Sequence, residues 1–159
     1  MSIQIKNARL CFAHLFEPKA PRAGGKLKYS VDVLIPKSDK AQLALIVKEI
    51  QAAANEKYKE KAPGFLASIK GNNAKNAFRD GDVKVSGEGK EYTDYKGCYY
   101  ITTKSDNPPV VLTRNRVQVT NDNKASMQDV PYSGCYANVL LHFYALGGEN
   151  AGVFSGLDG

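Results

Sequence analysis

The sequence has no tryptophan and only two histidines, His14 and His142, so histidine-based acid/base chemistry is thinly supplied. It also lacks a Gly-x-Ser-x-Gly elbow, a phosphate-binding glycine loop and a metalloprotease helix, and catalysis is therefore not expected. No stretch approaches the ~18–20 continuous apolar residues of a membrane span. The start, Met1-Ser2-Ile3-Gln4, has neither the charged nor the apolar region of a signal peptide, so a cytoplasmic location is expected. The three cysteines, Cys11, Cys98 and Cys135, are an odd number without framework spacing, which argues against a disulfide scaffold and for small, reduced, buried residues.

Metal chemistry finds little support either. Cys11 and His14 have the spacing of half a zinc site that Cys98 and Cys135 could complete, but structural zinc sites bring two close pairs and here only one pair is close. Asp80, Asp82 and Glu88 could bind magnesium, yet a solvated acidic loop is the simpler reading. No metal and no cofactor is expected.

The chain does have positive charge and tyrosine. Lysine and arginine number 22 against 16 acidic residues, a net charge of +6 that favours a polyanionic partner. Many of the nine tyrosines lie near cations: Tyr29 beside Lys28, Tyr92 and Tyr95 between Lys90 and Lys96, Tyr99 and Tyr100 ahead of Lys104. One phrase is written twice, Tyr95-Lys96-Gly97-Cys98-Tyr99 and Tyr132-Ser133-Gly134-Cys135-Tyr136, each opening a run rich in aromatic and β-branched residues that reads as a strand. Rings that stack bases beside cations that hold phosphates suit a single nucleic-acid strand. Double-strand readout would need a basic recognition helix, and the helix predicted here is alanine-rich with mixed charge.

In chain order, Ile3 and Ile5 lie on one parity and Ala8, Leu10 and Phe12 on the other, which predicts a bulge near Lys6-Asn7 in a strand that serves two parts of a curved sheet. Residues 13–25, with Pro18, Pro21, Gly24 and Gly25, read as a loop carrying His14, Phe16, Lys19 and Arg22. Leu27, Tyr29, Val31, Val33 and Ile35 then alternate with Lys26, Lys28, Ser30 and Asp32, predicting a strand with one apolar and one polar face. Ser38 suits an N-cap for an amphipathic helix over about 39–61, stopped by Pro63-Gly64. A long basic loop follows at about 64–91, then the first echo strand to about Lys104, a turn at Asn107-Pro108-Pro109 and a strand pattern on either side of Arg114 and Arg116. The second echo strand runs to about Leu146, and Gly147-Gly148 leads into a last strand through Val153 and Phe154.

Five or six short strands with one helix predict a mainly β domain spanning residues 1–159, best matched by an OB fold, a five-stranded, partly open antiparallel barrel. The helix follows the second strand rather than the third, and counting the bent first strand twice would restore the simple OB order.

The ordered phrases Arg9-Leu10-Cys11-Phe12, Leu15-Phe16-Glu17-Pro18, Lys28-Tyr29-Ser30-Val31, Leu34-Ile35-Pro36-Lys37, Tyr95-Lys96-Gly97 and Tyr132-Ser133-Gly134-Cys135-Tyr136 extend over nearly the whole chain. Together they resemble a bacteriophage family of small single-stranded-DNA-binding proteins, catalogued as the domain of unknown function DUF2815 and similar in role to the T7-type phage binding proteins. The resemblance implies an OB fold, coating of single strands in phage DNA replication or recombination within the host cytoplasm, and no catalytic activity. Such proteins commonly carry a flexible acidic C-terminal tail that recruits phage or host replication proteins. This sequence ends Leu157-Asp158-Gly159 without an acidic run, which leaves tail-mediated recruitment and oligomer formation open.

The expected stacking residues are Phe12, Tyr29, Tyr92, Tyr95, Tyr99 and Tyr136, and the expected phosphate contacts are Lys26, Lys28, Arg79, Lys104, Arg114 and Arg116. The competing reading is a phage structural or protein-interaction module, such as a scaffold or inhibitor, because tyrosine and arginine are also enriched at protein interfaces.

Overall fold

Among the described residues, eight strands and two α-helices are laid out along the chain: β1 (Ile3–Lys19), β2 (Lys28–Pro36), α1 (Lys40–Tyr58), α2 (Ala62–Ile69), β3 (Phe78–Asp80), β4 (Cys98–Ser105), β5 (Val111–Leu112), β6 (Gln118–Val119), β7 (Tyr136–Leu146) and β8 (Gly152–Leu157). The structure is a computed structural model and describes residues 2–20, 24–127 and 130–159; Pro21 and Arg22 of the predicted loop lie outside the described residues.

Five of the strands pair in a ring. The N-terminal half of β1 pairs with β7 and its C-terminal half with β2, β2 pairs with β4, β4 with β8, and β8 returns to β7. All these pairings are antiparallel except β4 with β8, which meet only at Thr103–Ser155 and Lys104–Gly156. The ring is therefore narrowly closed at one seam, as a partly open OB barrel requires. β3 takes the rest of that edge of β4, and β5 and β6 form a separate hairpin. The helices lie between the second and third ring strands, and the ring closes without counting β1 twice. The departure from the simple OB order is thus genuine.

The predicted bulge is present. Register shifts between Ile5 and Ala8, where Asn7 sits at φ 51°, and side chains satisfy the freed backbone: Gln42 accepts from the Lys6 amide at 2.6 Å and donates to its carbonyl at 3.0 Å, while Asn138 accepts from the Asn7 amide at 2.9 Å. The predicted loop from residue 13 is a continuation of β1 as far as Lys19. A second register break between Cys11 and His14, with Phe12 at φ 49°, disrupts the alternation, and a bulged strand then has the sequence pattern of a loop.

Asp39, rather than Ser38, caps α1, accepting from the Gln42 amide at 3.3 Å. At the other end Lys59, at φ 51°, breaks the helix. Pro63-Gly64 does not end the helical region, because Pro63 falls in the first turn of α2, where its missing N–H costs no hydrogen bond. Gln42 holds the start of α1 at the β1 bulge, and Tyr58, donating to the Leu146 carbonyl at 2.6 Å, holds its end at the end of β7. The 64–91 segment is a loop only in part, since it contains α2, β3 and a 3-10 turn at Gly81–Val83.

The core divides in two. Ile5, Val31, Val33, Ile35, Ile101, Val139, Leu141 and Val153 fill the ring, with Ile46 and Ile50 of α1 packed against them. A second cluster of Cys11, Leu34, Tyr95 and Tyr100 lies on the opposite, outer faces of β1, β2 and β4. Both faces of β2 are consequently buried from Val31 to Ile35, and Asp32, predicted on a polar face, is buried with them.

Candidate nucleic-acid interface

The outer cluster is roofed by residues 81–97. Gly81 makes the close approach possible, since a Cβ there would lie 2.2 Å from the Tyr95 carbonyl oxygen. Asp82 fastens the roof, accepting from the Gly97 amide at 2.7 Å and from Lys37 Nζ at 2.6 Å, and these bonds hold its carboxyl below the usual carboxylate range. Lys37 also pairs with Asp80 at 2.8 Å, so two of the three suggested magnesium carboxylates, Asp80 and Asp82, are bridged by a lysine. Among the described residues no group of three or more His, Cys, Asp or Glu side chains is placed to hold a metal ion.

Under this roof Tyr95 is not a stacking surface. It is 1% exposed, and its hydroxyl donates to the Asp32 carboxyl at 2.6 Å. Burial, reinforced by the Asp32 charge, raises the phenol's pKa far above its ordinary value. Thr102 donates to the other Asp32 oxygen at 2.8 Å. A Tyr-x-Gly-Cys-Tyr phrase in sequence cannot show that its first ring will be sealed by the segment that precedes it.

Phe12 and Tyr92 form the open part of the same cluster. Phe12 is 48% exposed and meets Tyr92 edge-on at 5.7 Å between ring centroids. The left-handed backbone of the second bulge sets Phe12 outward on this face. Lys84, a residue that sequence reasoning left among loop charges, places its ammonium 5.8 Å from the Phe12 ring centre, 5.4 Å from Tyr92, 5.1 Å from Tyr95 and 4.9 Å from Tyr100. Its spacing from those rings in sequence gives no hint of this arrangement.

Further along the outer face of β4, past Thr102, lies a cleft of about 500 Å³ whose lining includes the cations Lys28, Arg79 and Lys104, the carboxylates Asp106 and Asp158, and Thr102, His142, Tyr144, Phe154 and Gly156. Burial lowers the Lys104 pKa, and the neighbouring Arg79 and Lys28 charges lower it further. Three cations held together against desolvation create a place for an anion. Arg79 is partly committed to the fold: it donates to the Asn76 carbonyl at 2.9 Å, to Thr102 Oγ1 at 3.1 Å and to the Asn73 carbonyl. Lys26 and Lys28 share Asp106, each at 3.3 Å. Tyr144 and Phe154, a cross-strand pair with ring centroids 6.0 Å apart, add an aromatic wall that the sequence reading missed. The signal was available in part, because Tyr144 alternates with Leu141 and Phe143 and so falls on the outer parity of β7.

The remaining expected residues are not gathered here. Tyr99 lies on the opposite face of β4 from Tyr100, against Phe78 at 5.1 Å and under the Lys37 ammonium at 4.8 Å. Tyr29 shares the parity of Val31 and Val33 and is half-buried, so Lys28 and Tyr29 point to different faces. Tyr136 is 64% exposed at the start of β7, paired with Arg9 of β1. Arg114 and Arg116 sit at the exposed tip of the β5–β6 hairpin and do not line the cleft.

Comparison with known proteins places the fold and the lineage. A family model described as Enterobacter phage Enc34, ssDNA-binding protein, matches residues 1–159. The chain is 34% identical over 160 residues to putative protein p50 of Acyrthosiphon pisum secondary endosymbiont phage 1, covering 100% of this chain and 81% of that protein. Among solved structures it is similar to the single-stranded DNA-binding protein from bacteriophage Enc34 in complex with ssDNA, with a TM-score of 0.75, 21% identity and coverage of 99% of this chain and 82% of that one. A more distant likeness is to gp2.5, a single-stranded DNA-binding protein encoded by bacteriophage T7, with a TM-score of 0.51, 16% identity and coverage of 99% and 82%. With the whole-chain family match and the p50 identity, the resemblance carried by the sequence phrases stands: the chain belongs to the phage Enc34 single-stranded-DNA-binding protein family.

Proposed function

We propose that this protein binds single-stranded DNA without sequence preference and protects it during phage DNA replication or recombination, in the host cytoplasm. The observation that carries the reading is the outer face of β4. Phe12, Tyr92 and Lys84 stand at one end and the Lys28–Arg79–Lys104 cleft with Tyr144 and Phe154 at the other. From Tyr100 to Lys104 this face runs about 13 Å, a distance that a few nucleotides of extended strand cover. Bases stack on the exposed rings at either end while the cations hold the phosphates between them, which is sequence-tolerant because every base has a π-face. Tyr136 extends the aromatic surface on β7, and Arg114 and Arg116, exposed at the tip of the β5–β6 hairpin, offer further phosphate contacts. No catalytic step is assigned to the chain.

Binding of an oligothymidine strand, followed by fluorescence anisotropy over a range of salt, tests this. Affinity should fall linearly with salt on logarithmic axes, by about 0.7 in slope for each phosphate neutralised. Equal or tighter binding to duplex DNA of the same length would overturn the single-strand preference. A salt-insensitive complex with a protein partner and no oligonucleotide binding would favour the interaction-module reading instead.

A further inference from the structure

His142 lies in the cleft but has no part in the stacking and lysine contacts described so far. Its imidazole lies directly over Gly156, where a Cβ would come within 2.2 Å of ring atom Cε1 and 2.5 Å of Nε2. Only a glycine leaves room for the ring there. Nδ1 is fixed by both oxygens of Asp158, at 3.1 and 3.0 Å, and Asp158 is itself held by Ser2 Oγ at 2.7 Å. Among the described residues Nε2 makes no hydrogen bond.

This fixation determines what Nε2 can do. In the neutral ring the carboxylate keeps the proton on Nδ1, and Nε2 is left with a lone pair. A phosphate oxygen only accepts hydrogen bonds, so it cannot pair with that lone pair. The same nitrogen becomes a donor once the ring takes a second proton from solvent. The charged groups of the cleft divide by sign: Asp158, which follows β8, favours the imidazolium, as does Asp106, itself engaged by Lys26 and Lys28, while Lys28 of β2, Arg79 of β3 and Lys104 of β4 oppose it. Tyr144, with its ring centre 5.9 Å from that of His142, is the remaining titratable neighbour on β7. An arriving phosphate offsets the three cations and shifts this balance toward the charged ring.

We propose that His142 is a phosphate-contacting residue of the cleft that donates from Nε2 as an imidazolium, so that strand binding takes up a proton. This rests on the single-strand-binding reading and adds a proton-linked contact to it. The consequence follows from linkage: a group whose pKa is higher in the complex than in the free protein makes binding tighter as pH falls through that interval.

The test measures oligothymidine affinity at about pH 6 and about pH 8 at fixed ionic strength, in the interval where unperturbed histidine titrates and thymine does not. The wild-type chain should bind about fivefold tighter at the lower pH, a ratio corresponding to less than one unit of pKa difference. His142→Gln should still bind but lose most of that ratio. His14→Gln, which alters the chain's other histidine on β1, should keep it. A ratio that persists in His142→Gln, that disappears in His14→Gln, or that is absent from the wild type would overturn the proposal. A second measurement needs no variant: the NMR titration of the His142 ring should move to higher pH when the protein is saturated with oligothymidine, and an unmoved titration would likewise overturn it. Absence of oligothymidine binding by the wild type at both pH values is a separate outcome, which removes the single-strand-binding reading itself.

Discussion

Tyr95 and Phe12, neighbouring rings of one cluster, end in opposite roles, because a residue's neighbours in space set its chemistry. Tyr95 is a structural donor to Asp32, so Tyr95→Phe should cost about 1–3 kcal/mol of stability by leaving a buried carboxyl short of a hydrogen bond. Chemical denaturation should register that loss while the salt slope of oligothymidine binding stays as in the wild type. Phe12→Ala should behave in the reverse manner: its ring is half in solvent, so the fold tolerates its removal, but affinity should drop by about 1–3 kcal/mol with the slope unchanged. Lys104 combines the two. Its cation is disfavoured in the folded state by burial and then by Arg79 and Lys28, so the folded form has the lower pKa and the strain is present at neutral pH, fading only as pH rises toward the lysine range. Lys104→Gln should therefore raise the melting temperature, by up to about 2 °C, while lowering the salt slope by about 0.7. A variant that both melts earlier and keeps its slope would contradict this placement.

Among the elements, the 81–97 segment is the one on which the candidate interface depends, since it supplies Lys84 and Tyr92 and carries Tyr95 onto Asp32. Its anchor is Asp82, whose folded-state pKa is lowered by the Gly97 amide and then by Lys37. The sign follows directly: the anchor contributes its stabilisation above the ordinary carboxylate pKa of about 3.9 and loses it as pH falls through the lowered folded value. Amide exchange at Gly97 should accordingly quicken in acid before the ring strands open. Asp82→Asn should exchange fast at neutral pH with little further acid dependence, and an unchanged Gly97 rate in this variant would show that the segment is held elsewhere. The helices matter to the site only indirectly. By gripping the β1 bulge through Gln42 and the end of β7 through Tyr58, α1 fixes the curvature of the two strands that present Phe12, Tyr136 and Tyr144.

For the molecule as a whole, the narrow seam between β4 and β8 puts Lys104 beside Gly156 and so joins β2, β4, β8 and β7 into one outer face. That face is a shallow cleft with rings at its margins, a shape for a strand whose bases can splay. A duplex keeps its bases stacked inside and can offer only phosphates to it. Oligothymidine should therefore bind tighter than a duplex of equal length at every salt concentration, with the gap narrowing in Phe12→Ala. A gap that survives removal of both Phe12 and Tyr92 would leave the stacking to Tyr136, Tyr144 and Phe154 alone.

Much of this was legible in the sequence, for reasons tied to particular residues. The parity switch between Ile5 and Ala8 reports the first bulge because each side of it faces the ring core, and the alternation of Val31, Val33 and Ile35 reports β2 for the same reason. The excess of positive charge pointed to a polyanionic partner and the ordered phrases, by resemblance, to a single-strand-binding family, neither of which depends on three-dimensional placement. What only the tertiary structure decided was orientation and company. β1 continues through a second bulge that erases its periodicity, and Pro63 is accommodated because it opens a new helix. The segment 81–97 folds over the outside of the ring, so Tyr95 and Asp32 are sealed together while Phe12, Tyr92 and Lys84 are left open. Periodicity records which residues avoid water on one element, but it carries no information about a loop arriving from elsewhere, and here that loop determines which rings stand open to solvent.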